Sequence, residues 1–335
     1  MPIPRLTRAP GETAGPAPAI CPALYAIAGA LTLSPLLWAR IPPLVDYPNH
    51  LARAWILVHA AEIPALAGNY SVHWRILPDL AMDGVVSALA CLVPVELAGR
   101  IFVALTMAAL VGGTLALHRV LHGRVGLWPL CSMLFVYNAV LFWGFVSCLF
   151  AIGVYLLVFS GWIATRHWRI GVRLALFSLA ASLLFLLHLF AFGLYGLSMA
   201  AYELQARLGR NRPTLRSLMG WMATWLQLLP GLVLWRASLA HAGATLTVYG
   251  GLAAKLYALV APFDFGVAPA PFDRLVGVAA CLGLILAIAT RTIRLAPEMR
   301  LPLAAMVAAA LLMPNRMSGA WGADLRLPAA LPFVV

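Results

Sequence analysis

Charge is scarce in this chain. Asp, Glu, Lys and Arg make up 10% of its 335 residues, whereas hydrophobic residues make up 63%. Soluble domains carry about a quarter charged residues, so this composition excludes a water-soluble globular protein. No Gly-rich phosphate-binding motif follows a strand pattern, which excludes an ATP-driven pump. A disulfide framework and a cysteine zinc site are also excluded, because the cysteines stand singly in apolar runs without a CxxC pair: Cys21, Cys91, Cys131, Cys148 and Cys281.

The basic residues are spread along the chain, although its formal net charge is +12. They form no single patch with interleaved aromatic residues, so nucleic acid is not expected as a partner. Instead they recur in short groups between apolar segments, which is typical of the cytoplasmic loops of a multi-pass membrane protein. The expected partner is therefore the lipid bilayer. No solenoid repeat, heptad pattern or separable soluble domain interrupts the chain from residue 20 to 335, so we expect a single transmembrane domain.

Apolar runs predict the fold class: an all-α, polytopic transmembrane helical bundle of about nine to ten spans. Several runs are shorter than the ~20 residues of a usual spanning helix, so short or broken helices are expected. Breaks are predicted at residues 142–145, which contain Trp143 and Gly144, and at His188, where a hairpin turn is needed. The runs are 20–39, 97–117, 126–141, 147–164, 172–187, 189–204, 217–235, 274–290 and 300–313.

Charge asymmetry predicts the orientation. With the N-terminus inside, 14 of the 23 Lys and Arg residues fall on the cytoplasmic side, and 8 of the 11 acids fall outside. This bias is typical of an integral protein of the plasma (inner) membrane with a cytoplasmic N-terminus. We expect residues 1–19 to be disordered and the first span to be an uncleaved signal anchor. The large outer loops are then about 40–96 and 236–273.

Segment 80–93 is interpreted as a re-entrant or interfacial helix within the first outer loop. Counting it as a span would move Arg119 and Arg124 to the outer side, against the charge bias. Asp83 within it agrees, since an acid at mid-membrane is costly without a partner. A short apolar helix, 252–260, is expected in the second outer loop.

The last residues begin another apolar run at Arg326, which reaches Val335 after too few residues to span a membrane. We expect a full transmembrane helix to begin here in a longer protein. Asp324 and Arg326 are expected to pair in the outer loop before it.

Residues 46–53, Asp-Tyr-Pro-Asn-His-Leu-Ala-Arg, concentrate chemistry-bearing side chains directly after the first span. Pro48 favours a helix start, and Asp46 is placed to cap it. Asn49 and Arg53 would share one face, while Asp46 and His50 would stand together at the mouth of the helix. The cluster is a candidate active site at a membrane surface. The alternative is a capped interfacial helix whose Arg53 extends to lipid headgroups.

This arrangement resembles the GT-C superfamily of integral-membrane glycosyltransferases, particularly the branch of protein mannosyltransferases and aminoarabinose transferases. In that branch a first span precedes an outer motif that commonly reads Asp-Glu-x-x-Tyr-x-x-x-Ala-Arg. Residues 46–53 keep the first acid and the Ala-Arg at compressed spacing, with Tyr47 in the place of Glu. The segment from Pro78 to Arg100 and the His188 hairpin are also similar, whereas residues 142–145 carry no acid.

The resemblance implies a polyprenyl-phosphate sugar donor and transfer to an acceptor hydroxyl with inversion at the anomeric carbon. Asp46 would be the general base and His50 would orient it or share the proton. The groove beside segment 80–93 would hold the isoprenoid tail. The sequence implies no particular cofactor. Asp79 and Asp83, four residues apart on one outer helix, are candidate ligands of a divalent metal, and Asp79 is also placed as a helix cap. Four side chains are expected to hold the substrate or its phosphate: Arg53, Arg75, Lys255 and His188.

Two other function classes stay open. A transporter or flippase of lipid-linked substrates would need ionisable residues deep within the spans. A non-catalytic membrane protein, or a decayed relative of an enzyme, would account for the missing second acid at Tyr47. The sequence identifies neither the sugar nor the acceptor.

Overall fold

The structure, a computed structural model, describes residues 22–126, 128–208, 214–239, 246–264, 271–290, 295–317 and 320–334. It is mostly helical, at 77%, and the described residues contain only one short two-stranded ribbon. The all-α fold class is therefore confirmed. The disorder expected for residues 1–19 lies outside the described residues.

The elements are short helices interspersed with a few long ones. The α-helices are α1 Pro22–Leu33, α2 Pro35–Trp38, α3 Tyr47–His59, α4 Pro64–Ala67, α5 Ala81–Ala90, α6 Val95–His122, α7 Trp128–Phe135, α8 Ala139–Phe142, α9 Val146–Ala164, α10 Ile170–Leu187, α11 Leu189–Leu208, α12 Leu215–Thr224, α13 Leu229–Leu239, α14 Leu252–Val260, α15 Pro271–Ala289, α16 Arg300–Leu312, α17 Ala323–Arg326 and α18 Leu331–Val334. The 3-10 helices are Trp225–Leu228, Ala261–Phe263, Pro297–Met299 and Pro328–Ala330, and the antiparallel strands are β1 Arg316–Met317 and β2 Ala320–Trp321.

Four helical stretches among the described residues are long and apolar enough to cross a membrane: Val95–His122, Val146–Ala164, Ile170–Leu187 and Leu215–Leu239. Five shorter apolar stretches of 10–17 residues accompany them: Ala23–Trp38, Ala81–Ala90, Pro129–Phe142, Leu252–Phe263 and Leu275–Ala289. Breaks inside the apolar runs cause this shortening. For example, Asn138 separates α7 from α8, and its side chain accepts the Leu141 N–H. The nine to ten spans stay a prediction.

The centre of the bundle is the packing of α6 against α9, which small residues allow to be close. A Cβ at Gly113 would lie 2.6 Å from the Leu156 Cβ, and a Cβ at Gly153 would lie 2.6 Å from the Ala109 carbonyl carbon. Helix association in an apolar environment relies on such close contact, because lipid competes with large apolar side chains. Fully buried aromatic side chains extend this core: Phe102, Tyr155, Phe159, Trp162, Phe185 and Tyr195.

Both predicted helix breaks are confirmed. α8 ends at Phe142, and the chain turns at Gly144, where φ is 90°, before α9 begins. α10 ends at Leu187, and His188 adopts extended backbone (φ −171°, ψ 129°) before α11 begins. The predicted helix 252–260 is confirmed as α14.

The turn at Gly144 holds the chain just before α3. The Val45 N–H donates to the Phe142 carbonyl at 2.9 Å, and the Asp46 N–H donates to the Trp143 carbonyl at 3.1 Å. A Cβ at Gly144 would lie only 2.7 Å from the Asp46 backbone nitrogen. A glycine here therefore serves both the positive φ and the close approach of the two backbones.

α3 begins where Pro48 predicts, at Tyr47, but the capping predicted for Asp46 is wrong. Asp46 occupies the N-cap position with helical backbone (φ −92°, ψ −8°), and its side chain makes no capping hydrogen bond. Capping residues need extended backbone so that the side chain can turn back to the first N–H groups. The Asp46 carboxylate is left to contact Asn49 and His50 instead.

α5 is ten residues long, or about 15 Å, which is about half of a membrane span. It packs against α3, α6 and α9. Leu80 is its N-cap residue, so the cap predicted for Asp79 is also wrong; Asp79 lies one residue earlier in left-handed backbone (φ 72°). Asp83 in the first turn is buried, and its Oδ2 lies 2.7 Å from an Arg53 guanidinium nitrogen. The partner that a buried acid requires is therefore present.

A separate polar cluster lies at the opposite ends of α9, α10 and α11. Trp162 Nε1 donates to Glu203 Oε1 at 2.9 Å, and Arg207 donates to Oε2 of the same carboxylate at 2.5 Å. The Arg173 guanidinium carbon lies 3.6 Å from the centroid of the Trp162 ring. Trp162 is about 24 Å along α9 from the first residue of that helix. The bundle thus has two polar ends separated by apolar helix.

We predict that Gly144→Ala lowers the free energy of unfolding by about 1–3 kcal/mol, because an alanine at φ 90° is strained and its Cβ collides with the Asp46 backbone. The matched control is Gly193→Ala, an exposed position within α11 where a Cβ meets nothing within 4 Å. The measurement is the thermal unfolding midpoint of purified protein in detergent. Equal midpoints for the two variants would contradict the role given to the turn.

Candidate functional site

A cavity of about 90 Å³ lies at the end of the bundle where the two helix breaks meet. It is smaller than the ~300–1,000 Å³ of pockets that enclose a whole small molecule, so it has room for only part of one. The chain segments that form it are the start of α3, the loop before α5, the start of α9, the break before α11, and α17. Its lining residues are Asp46, His50, Asp79, Phe145, Ser147, Cys148, His188 and Arg326.

Asp46 and His50 form the pair that the sequence predicts at the mouth of α3. Asp46 Oδ2 lies 3.2 Å from His50 Nε2, and Asp46 Oδ1 accepts a hydrogen bond from Asn49 Nδ2 at 2.9 Å. The pairing follows from helix geometry, because residues four apart lie on one face. The Asp46 side chain is 41% exposed. Its carboxylate is therefore held by two neighbours and remains accessible to a ligand.

Asp79 is the second carboxylate of the cavity. Its side chain is 49% exposed at this opening, while protein surrounds it on its other sides. That desolvation raises the pKa of Asp79 to about 6, against the lowering effects of the Arg326 and His50 charges. A carboxyl group with a pKa near neutrality exchanges protons readily at physiological pH.

His188 projects from the break between α10 and α11. It is buried, and its Nδ1 accepts the Phe190 backbone N–H at 3.1 Å. Its Nε2 lies 3.8 Å from Asp79 Oδ1. Burial lowers the pKa of His188, with a further contribution from the Arg326 charge, so the imidazole is neutral at pH 7. The extended backbone at this single residue aims the ring into the cavity instead of along either helix.

Arg326 in α17 supplies the cation of the cavity. Its guanidinium carbon lies 4.4 Å from the Phe145 ring centroid and 5.7 Å from that of Phe190. One terminal nitrogen donates to the Trp321 carbonyl at 3.3 Å. The Nε is buried and has no hydrogen-bond partner among the residues that the structure describes. Two aromatic rings thus position a guanidinium that keeps donor capacity for a ligand.

Lys255 lies away from the cavity, in a buried ion pair. Its Nζ donates to the Met313 carbonyl and lies 3.3 Å from Asp324 Oδ2, and Asp324 Oδ1 accepts from Asn315 at 3.2 Å. The predicted ion pair between Asp324 and Arg326 is therefore wrong, because the Asp324 carboxylate contacts Lys255 and Asn315 instead. Removing one member of a buried pair leaves the other charge unpaired, so Lys255 supports the fold at this position.

Arg53 and Arg75 do not line the cavity either. The Arg53 guanidinium binds Asp83, and its side chain remains 61% exposed. Arg75 is exposed in the loop between α4 and α5. Of the residues predicted for the site, the structure brings together four in one cavity: Asp46, His50, Asp79 and His188.

Several lining residues were missed by sequence reasoning. Phe145 is the last residue of the predicted break at 142–145, and Ser147 and Cys148 follow it. Their proximity to Asp46 depends on the backbone pairing of that turn with the start of α3. The sequence predicts Arg326 in an ion pair with Asp324, not in the cavity. The sequence feature that could have indicated Arg326 as a cavity residue is the predicted topology, which puts Arg326 and Asp46 on the same side of the membrane.

A metal site at Asp79 and Asp83 stays a prediction. Within the part of the chain that the structure describes, no three His, Cys, Asp or Glu side chains lie close enough together to hold a metal ion. Asp83 is engaged by Arg53.

Comparisons of the chain with protein-family models, with curated proteins and with solved structures found no match.

We predict that Asp79→Asn raises the thermal unfolding midpoint at about pH 8 and loses this advantage towards pH 4. The pKa of Asp79 rises from 3.8 to about 6 in the folded protein, so ionisation destabilises the fold. The destabilisation is absent below the unfolded pKa and complete above the folded one. Asn also accepts left-handed backbone readily.

Unfolding midpoints of purified protein across this pH range provide the test. The matched control is Glu62→Gln, an exposed carboxyl outside the cavity, which should show no pH-dependent gain. A gain for Asp79→Asn that is equal at all pH values would show that the Asp79 carboxyl titrates normally.

Proposed function

We propose that the protein is a membrane glycosyltransferase that moves a sugar from a polyprenyl-phosphate donor to an acceptor hydroxyl on the outer face of the membrane, with Asp46 as general base. One observation carries this proposal: the Asp46–His50 pair and the Arg326 guanidinium share one cavity at the end of an apolar helical bundle. An attacking hydroxyl needs a proton acceptor, and a phosphate leaving group needs a cation.

In the proposed reaction, the acceptor oxygen attacks the anomeric carbon of the sugar. The new carbon–oxygen bond forms while the bond between the anomeric carbon and the phosphate oxygen breaks. The electron pair of that bond leaves with the polyprenyl phosphate, and the hydroxyl proton passes to Asp46. Attack from the face opposite the phosphate inverts the anomeric configuration. His50 and Asn49 hold the carboxylate in place.

The charges of the cavity suit this chemistry. Glycosyl transfer passes through an oxocarbenium-like transition state, and preorganised carboxylates stabilise positive charge that develops on the sugar. Asp46 and Asp79 supply two carboxylates, and Arg326 supplies a guanidinium for the phosphate. We assign to Arg326 the phosphate contact predicted for Arg53, Arg75 or Lys255, because the Lys255 ammonium is already paired with Asp324. Arg53 and Arg75 remain candidates for phosphate contact outside the cavity.

The position of the cavity also supports the proposal. In the predicted topology, the first outer loop, the turn at 142–145, His188 and Arg326 all lie on the outer side, and residues from each of these regions line or border the cavity. The polar cluster of Arg173, Glu203 and Arg207 lies at the opposite end. A polyprenyl-phosphate donor has its headgroup at the membrane surface, where such a cavity would receive it.

Little in the long helices favours a transporter or flippase. In the four long apolar stretches, every Asp, Glu, Lys and Arg lies within two turns of an end. A conduction path would require ionisable groups or interrupted backbone near the middle of the membrane. Chemistry at one end of the bundle fits this distribution better.

We predict that Asp46→Asn lowers sugar transfer by roughly 10²–10⁴-fold, because the amide cannot accept the acceptor proton. The measurement is transfer from a panel of polyprenyl-phosphate hexoses and pentoses by purified, detergent-solubilised protein, with added membrane extract as the acceptor source. Glu62→Gln is the matched control, since it removes a carboxylate from the same outer loop but outside the cavity.

The unfolding midpoint of Asp46→Asn should match that of the wild type, so that lost transfer reports chemistry. Transfer retained in Asp46→Asn would remove Asp46 from the role of base. Transfer lost equally in Glu62→Gln would show that the assay reports outer-loop charge instead of the cavity.

A further inference from the structure

Asp79 and His188 face each other across the cavity without bonding directly. The distance from Asp79 Oδ1 to His188 Nε2 is 3.8 Å, beyond the 2.7–3.2 Å of an N–H···O hydrogen bond. An oxygen atom placed to one side, about 2.8 Å from both atoms, can bond to each of them. The gap therefore fits a single shared oxygen.

The proton positions define what that oxygen must be. Because the Phe190 N–H donates to His188 Nδ1, the neutral imidazole carries its proton on Nε2. His188 therefore donates towards the gap, and an ionised Asp79 only accepts. A shared oxygen must therefore accept a hydrogen bond from His188 Nε2–H and donate one to the Asp79 carboxylate. A hydroxyl group does both, and so does the water molecule that it would displace, whereas an unprotonated phosphate oxygen cannot donate and a metal cation cannot accept from Nε2–H.

The charged side chains of the cavity also favour a hydroxyl group at this position. The cavity lining contains two carboxylates, Asp46 and Asp79, and one guanidinium, Arg326. This excess of carboxylate disfavours an anion between Asp79 and His188 and favours a neutral hydroxyl-bearing group. The guanidinium is left for an anion at its own side of the cavity.

We propose that Asp79 and His188 form a hydroxyl-binding site that holds one hydroxyl of the sugar being transferred. This inference rests on the proposed function, in which Asp46 serves the acceptor hydroxyl and Arg326 serves the phosphate. The hydroxyl accepts from His188 Nε2 and donates to Asp79 Oδ1. Sugars with that hydroxyl replaced by hydrogen would leave both protein groups unpaired, so the pair selects among donor sugars.

The test compares two probes for binding to purified protein in detergent: polyprenyl-phosphate hexoses and pentoses, and the same polyprenyl phosphate without a sugar. Binding is followed by tryptophan fluorescence, because the Trp321 ring lies 6.3 Å from the ring of Phe145 in the cavity wall. We expect at least one sugar-bearing lipid to bind about tenfold or more tightly than the bare lipid phosphate, as for a hydrogen bond to a charged group.

Two variants remove the proposed site from either side. Asp79→Gly removes the carboxylate and keeps the left-handed backbone without strain, and His188→Ala removes the imidazole. Each should abolish the preference for the sugar-bearing lipid while the affinity for bare polyprenyl phosphate stays within about twofold, because Arg326 is unchanged. Glu62→Gln should keep the preference.

An equal loss of affinity for both probes in the variants would show that Asp79 and His188 have a purely structural role, and would overturn the hydroxyl site. So would a preference that survives both substitutions. Sugar transfer by a protein without the preference would overturn the site while the proposed function stands. A preference without any transfer supports the site and contradicts the proposed function. Binding of neither probe by the wild type would overturn both.

Discussion

The structure depends on where helices are interrupted, because a chain with so few charges must bring its ionisable groups to helix ends, where they find partners or water. The turn at Gly144 accepts the backbone N–H groups of Val45 and Asp46 and so fixes the start of α3. The break at His188 aims a buried imidazole towards Asp79. These two interruptions lie at one end of the bundle, and the cavity forms between them.

Local signals made much of the fold predictable from sequence. Pro48 marks the start of α3, the Gly144 segment and His188 mark the breaks, and spacing of four residues places His50 against Asp46. The side-chain caps predicted for Asp46 and Asp79 are wrong, because capping depends on the backbone angles of a single residue and residue spacing does not reveal those angles. The predicted ion pair between Asp324 and Arg326 is also wrong. Asp324 pairs instead with Lys255, 69 residues away in the chain, and Arg326 lines the cavity. Such an exchange depends on the packing of α14 against α17.

In the proposed function, the cavity separates three chemical roles among side chains from distant parts of the chain. A carboxylate fixed by two local donors suits proton transfer, a guanidinium between aromatic rings suits phosphate, and a carboxylate opposite an imidazole suits a hydroxyl. The proposed resemblance to GT-C glycosyltransferases rests on residues 46–53 and on the order of segments after them. The geometry adds a reason why Asp79, Arg326 and His188 belong with Asp46, a reason that the motif alone does not contain.

Cross-linking tests most directly whether a lipid-linked sugar reacts in this cavity. A polyprenyl-phosphate sugar with a photoreactive group on the sugar would be bound to the purified wild-type protein, irradiated, and the modified peptides identified by mass spectrometry. Modification should fall in residues 145–148, 188–190 and the region of Arg326, and an excess of unlabelled donor should suppress it. Suppressible modification confined to other segments, such as the end of the bundle around Glu203, would contradict the assignment of the cavity as the site of transfer.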